Sequence, residues 1–114
     1  MKTIGTTREL FGEKITTAAI LLDGGIQVSV FGGSRPHIGA VSITDPAGNC
    51  HTTQFPGHKD GVVSERWAET LFNAGLSPVV VEAGIHYDAL GREEIAAVVA
   101  LTDEMLKEVL EVLS

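Results

Sequence analysis

Ile15-Thr16-Thr17-Ala18-Ala19-Ile20-Leu21-Leu22-Asp23-Gly24-Gly25-Ile26-Gln27-Val28-Ser29-Val30 is the stretch from which the fold can be read. In its second half Ile26, Val28 and Val30 alternate with Gln27 and Ser29, the two-residue period of a half-buried strand. Its first half is a β-branched and apolar run. Asp23-Gly24-Gly25 lies between them, and tight hairpin turns need the positive φ that such residues tolerate, so the two runs are expected to pair antiparallel.

Outward from this hairpin the strand signal continues. A first strand is expected within residues 3–10, and another over 38–44 with Val41 and Ile43 on one face. The turn Asp45-Pro46-Ala47-Gly48-Asn49 then leads into a strand over 50–55, which makes the first half a meander. Phe55-Pro56-Gly57 ends that pattern. Val63, Trp67, Leu71 and Phe72 recur at helical spacing, with Asp60 placed to cap the start and Gly75 to end the helix. Ser77-Pro78 precedes Val79-Val80-Val81-Glu82-Ala83, a further strand in the same sheet.

From Arg92 on, Ile95, Val98, Val99, Thr102, Leu106, Val109 and Leu113 form one stripe, which predicts a long helix or two nearly collinear pieces divided at Thr102-Asp103. The fold class that follows is α+β: a two-layer sandwich, an antiparallel meander sheet covered by two helices.

The 114 residues suit one domain, residues 1–114, near the common size of about 100–150. Hydrophobic content of 44% with 20% charged residues is that of a globular protein able to bury a core. The net charge is −7, and residues 92–114 carry four of those units, so no basic stripe exists for nucleic acid. A single cysteine, Cys50, rules out an intrachain disulfide. No apolar run approaches the roughly 20 residues that span a bilayer, and the start of the chain has no apolar signal core, so a cytoplasmic location is expected.

Residues able to carry chemistry gather at predicted element ends. Gly32-Gly33-Ser34-Arg35-Pro36-His37-Ile38-Gly39 combines adjacent glycines, a proline, a guanidinium and an imidazole between two strands. Backbone N–H groups and Arg35 could converge there on an anion. His58-Lys59-Asp60-Gly61 sits at a helix start, where unpaired N–H groups attract phosphate or carboxylate. His86-Tyr87-Asp88 repeats the His-x-Asp order of His58 to Asp60, in which a carboxylate can orient an imidazole.

The plain structural readings are a tight bend for Gly32 and Gly33, a solvent-facing Arg35, three separate histidines, and Asp60 and Asp88 as helix caps. Neither a Walker loop nor a Rossmann fingerprint is present. No HxH, HxxxH or Cys/His pair stands at ligand spacing, so no metal site is assigned. Cys50 and His51 point to opposite faces of a strand, Cys50 to the core and His51 to solvent. Trp67 and Phe72 are expected as core aromatics.

GGSRPHIGAV (32–41), PGHKDG (56–61) and GIHYD (84–88), in a chain of this length, resemble the prenylated-flavin chaperone-like family, the small accessory subunits of UbiD-like hydroxyarylic acid (gallate-type) decarboxylases. The resemblance implies an α+β fold like that of proteasome assembly chaperones and a non-catalytic protein that binds prenylated FMN, or FMN, for delivery to a UbiD-like decarboxylase subunit. On local chemistry and the motif match, the cofactor-binding residues are Gly32, Gly33, Ser34, Arg35, His37, His58, Lys59 and His86, with none catalytic. A free sheet edge is compatible with a homodimer. Two other readings stay open: a small hydrolase or isomerase using a His/Asp pair, and a ligand-free assembly module.

Overall fold

The computed structural model describes residues 1–113. Its elements run β1 (Lys2–Leu10), β2 (Glu13–Leu22), β3 (Gly25–Gly33), β4 (Ala40–Thr44), β5 (Cys50–Gln54), α1 (Gly61–Asn73), β6 (Val79–His86) and α2 (Arg92–Leu113). The α+β reading holds: a six-stranded open sheet carries the two helices. The hairpin falls where the turn chemistry puts it, with Leu22 opposite Gly25 across a two-residue loop.

The meander does not hold. The strand order is β1-β2-β3-β6-β4-β5, and β6 lies between β3 and β4, parallel to β3 and antiparallel to β4. Alternation along a strand fixes which face is buried and leaves its neighbour open. Val79-Val80-Val81 is apolar on both faces, the composition of a central strand. That position for β6 leaves residues 34–39 to pass over its end: Gly39 N–H donates to the Ala83 carbonyl at 2.8 Å and Ser34 N–H to the His86 carbonyl at 2.8 Å.

One face of the sheet supplies the core, where Ile15, Ala19, Val28, Val30, Val79 and Val81 pack against Trp67, Ala68 and Leu71 of α1 and Met105, Leu106 and Val109 of α2. Cys50 is half-buried against this core and His51 is exposed. A hydroxyl chain crosses the layers from exposed Thr52 to buried Ser42 at 2.7 Å and on to buried Ser64 at 2.8 Å, so α1 is registered on β4 and β5 by hydrogen bonds as well as by shape.

Helix α1 ends as the sequence indicates: Gly75 takes φ 91° and donates to the Phe72 carbonyl, while Leu76 N–H reaches Leu71. Its start differs. Asp60 occupies the capping position but makes no side-chain cap, and the Gly61 N–H is satisfied by Gln54 Oε1 at 2.9 Å.

Helix α2 is unbroken through Thr102-Asp103. Arg66 on α1 forms a two-pronged ion pair with Asp103 (2.9 Å in each arm), and Arg8 on β1 pairs with Glu108. These ties hold the C-terminal half of α2. Its first turns overhang: Val98 is buried, Val99 half-buried, and Ile95 is 52% exposed. No helix among the described residues is long and apolar enough to cross a membrane.

Tyr87, just past β6, reaches across to the Leu10 carbonyl (2.8 Å) and sets its ring edge-on against Phe11, with centroids 6.0 Å apart. Burial, with the charge of Glu13 adding to it, pushes its phenol above the ordinary value of 10.0. The folded protein therefore favours the neutral phenol. That contribution is complete below the ordinary value and is lost as pH rises through the raised one. Tyr87→Phe is expected to cost about 1 kcal/mol at neutral pH and to flatten the alkaline fall in stability, as read from urea unfolding over a pH series.

Candidate functional site: a cleft between the helix starts

Because β3 and β6 are parallel and β4 and β5 flank them, the end of β3, the end of β6, the entry to β4 and the exit from β5 all lie at one end of the sheet. Arg35, His37, His58, Lys59, Asp60 and His86 stand on those four chain segments. The three histidines meet. The rings of His37 and His58 lie 4.5 Å apart between centroids at a tilt of 32°, and those of His37 and His86 lie 6.5 Å apart, edge to face. With Arg35 they bound a recess of about 150 Å³.

The recess adjoins a larger cleft of about 370 Å³ that opens between the first turns of α1 and α2. Its apolar wall is Val62 and Val63 from α1, Leu90, and Ile95, Val98 and Val99 from the overhanging part of α2. Its polar end is His37, His58, Lys59, Asp60 and His86. Val62 and Ile95, 67% and 52% exposed, form its two lips.

The hydrogen bonds at the polar end are long-range. Asp60 is buried, and one carboxylate oxygen accepts from the Ile85 N–H while the other faces His37 Nε2, both at 3.0 Å. The pairing expected within His58-Lys59-Asp60 is thus replaced by one with His37, since the Asp60 carboxylate is turned to Ile85 and His37 while the His58 ring stacks on that of His37. The other nitrogen of His37, Nδ1, donates to the Arg35 carbonyl at 2.9 Å, the role left to it because a carbonyl only accepts. The second His-x-Asp does form: His86 Nε2 lies 3.0 Å from Asp88 Oδ1 and 3.2 Å from Arg35 Nη2.

Gly32 and Gly33 are buried behind this surface and do not line either hollow. Gly33 has φ 80°, and a Cβ there would fall 1.9 Å from the His86 carbonyl oxygen, so the close approach its small size permits is by β6. Ser34 is exposed and its hydroxyl turns to the same carbonyl, 3.3 Å away.

Two further glycines shape the site: a Cβ on Gly39 would lie 2.0 Å from Asp60 Oδ2, and one on Gly84 would lie 1.6 Å from the His37 carbonyl oxygen. Both stood in the quoted motifs without an assigned role. The apolar wall was missed because a helical stripe reads the same whether it packs on a sheet or overhangs it.

This cleft suits an amphiphilic small molecule. Its volume lies within the roughly 300–1,000 Å³ of small-molecule sites, its wall is aliphatic, and one end gathers a guanidinium, an ammonium and imidazoles. A chain in the crystal structure of a chaperone complex for yeast 20S proteasome assembly superposes with a TM-score of 0.58 over 98% of this chain and 94% of that one, at 19% identity, so the two share a fold. Residues 10–114 match the prenylated flavin chaperone LpdD-like domain, and the chain belongs to that family. It is also 28% identical over 109 residues to Protein LpdD of Lactiplantibacillus plantarum, covering 91% of this chain and 80% of that protein.

Proposed function

We propose that this chain is a carrier that binds prenylated FMN in the cleft and hands it to a UbiD-like decarboxylase without itself performing the decarboxylation. The observation that carries this reading is the contact between an aliphatic cleft and a cationic recess at one end of the sheet. A flavin nucleotide has that polarity, a broad ring system at one end and a phosphate at the other. Val62, Val63, Ile95, Val98 and Val99 would cover the ring, with Arg35, Lys59 and the histidines at the phosphate. A cleft with exposed lips, Val62 and Ile95, favours exchange with a partner over burial.

The enzyme alternative has His86 and Asp88 paired at 3.0 Å, yet among the described residues no serine, threonine or cysteine lines the cleft. A hydrolase built on that pair would lack the nucleophile it is there to activate.

Titration with prenylated FMN, and with FMN as the accessible analogue, is expected to shift the flavin absorbance to saturation. Arg35→Ala should weaken binding by about 10- to 100-fold, the worth of a charge-assisted phosphate contact. Hand-over is read by mixing the loaded carrier with apo-decarboxylase and following recovery of activity. Absence of any spectral shift or co-elution would refute the carrier reading.

A further inference from the structure

The geometry points to a second ligand at the polar end of the cleft: a divalent first-row transition metal ion held by His37 Nε2, one ring nitrogen of His58 and Asp60 Oδ2. These ligand atoms all lie within 4.8 Å of one another. Bond lengths of about 2.0–2.1 Å would bring such atoms to roughly 3.4 Å apart, an adjustment within reach of a side-chain rotation at half-buried His58.

Three observations carry this inference beyond proximity. First, His37 donates through Nδ1 to the Arg35 carbonyl, so in the neutral ring Nε2 bears a lone pair, and that lone pair faces a carboxylate oxygen 3.0 Å away. Two acceptors set against each other need a cation between them, a proton or a metal. A histidine whose far nitrogen is anchored on a backbone carbonyl is also the usual arrangement of a metal-ligating imidazole.

Second, Asp60 is held in place by its other oxygen, which accepts from Ile85 N–H, and is buried although it does not cap α1. Third, the His58 ring has no hydrogen-bond partner among the described residues and stacks on His37 with a tilt of 32°. The missing side chain of Gly39 leaves the space that Asp60 Oδ2 occupies.

Two imidazoles and a carboxylate suit ions such as zinc, cobalt, nickel or ferrous iron better than magnesium or calcium, which prefer all-oxygen sets. Three protein ligands leave positions open toward the cleft that all three residues line. The ligands come from two separate loops, so no spacing motif marks them in the sequence.

Cobalt(II) alone, with no flavin, tests this independently of the carrier reading. Chelator-treated protein is expected to take up one equivalent, with visible d–d absorption. His58→Ala and Asp60→Asn should each weaken cobalt binding by about 100-fold, whereas Cys50→Ser should leave it unchanged. Asp60→Asn retains an acceptor for Ile85 N–H, and His58→Ala removes a ring with no hydrogen bond, so one variant tests the site even if the other folds poorly.

Cys50→Ser also separates this site from Cys50, Glu65 and Glu69, which form another group of ligating side chains. No saturable uptake, uptake indifferent to both site variants, or uptake abolished by Cys50→Ser would overturn the assignment.

Discussion

Gly84→Ala is expected to destabilise the protein by about 3 kcal/mol or more and to abolish ligand binding in the cleft. A Cβ on Gly84 would meet the His37 carbonyl oxygen at 1.6 Å and its carbon at 2.3 Å. Both are backbone atoms and cannot rotate away. The segment over residues 34–39 would have to lift off β6, giving up the 2.8 Å bond from Gly39 N–H to the Ala83 carbonyl and withdrawing His37 from Asp60 and His58.

Fold and site therefore depend on the same contact. Urea unfolding followed by the fluorescence of Trp67 measures the stability change, and flavin titration of the folded fraction measures the other. Gly57→Ala is the matched comparison: φ there is 82°, with nothing within 4 Å of the added carbon, so only the backbone cost of about 1–2 kcal/mol applies. A loss at Gly84 no greater than that at Gly57 would show that the crossing segment is not packed against β6 as described.

Trp67→Ala carries the other large effect, an expected loss of about 3–5 kcal/mol. Trp67 is fully buried beneath α1, between the sheet and the helical layer, and it is the largest side chain in the core. Truncation leaves a cavity bounded by strands and helix that cannot collapse independently. Its indole N–H has no hydrogen-bond partner, a cost the native protein already bears. Trp67→Phe removes that orphan donor along with part of the ring, and the two effects oppose each other. The loss is expected to stay below about 2 kcal/mol. Far-UV circular dichroism during urea unfolding checks both variants, since the sole tryptophan is removed. Equal losses for Phe and Ala would show that the ring volume Phe retains contributes nothing, and would overturn the cavity-driven cost.

Much of the candidate site was legible as residues but not as contacts. Arg35, His37, His58 and His86 stood out because glycine and proline mark the ends of elements, where side chains are displayed. Their convergence follows from β6 pairing with both β3 and β4, contacts that couple residue 30 to 83 and residue 42 to 81. Asp60 shows the same limit. Its sequence position is that of a helix cap and of a partner for His58, both local roles, yet its carboxylate serves His37 and Ile85 while Gln54 takes over the helix start. Local chemistry ranks what a side chain can do, and competition among distant partners selects one.

The sequence by itself determined the strands, the Asp23-Gly24 hairpin and two helical segments, leaving open whether the second divides at Thr102-Asp103. Each of these depends on periodicity or on backbone preferences that act within a few residues. Only the tertiary structure decided that β6 enters between β3 and β4, that Asp60 turns to His37, and that the first turns of α2 overhang to make a cleft. Sheet order is fixed by which edges and faces find each other after the local elements form, and a strand's own pattern is the same beside either neighbour.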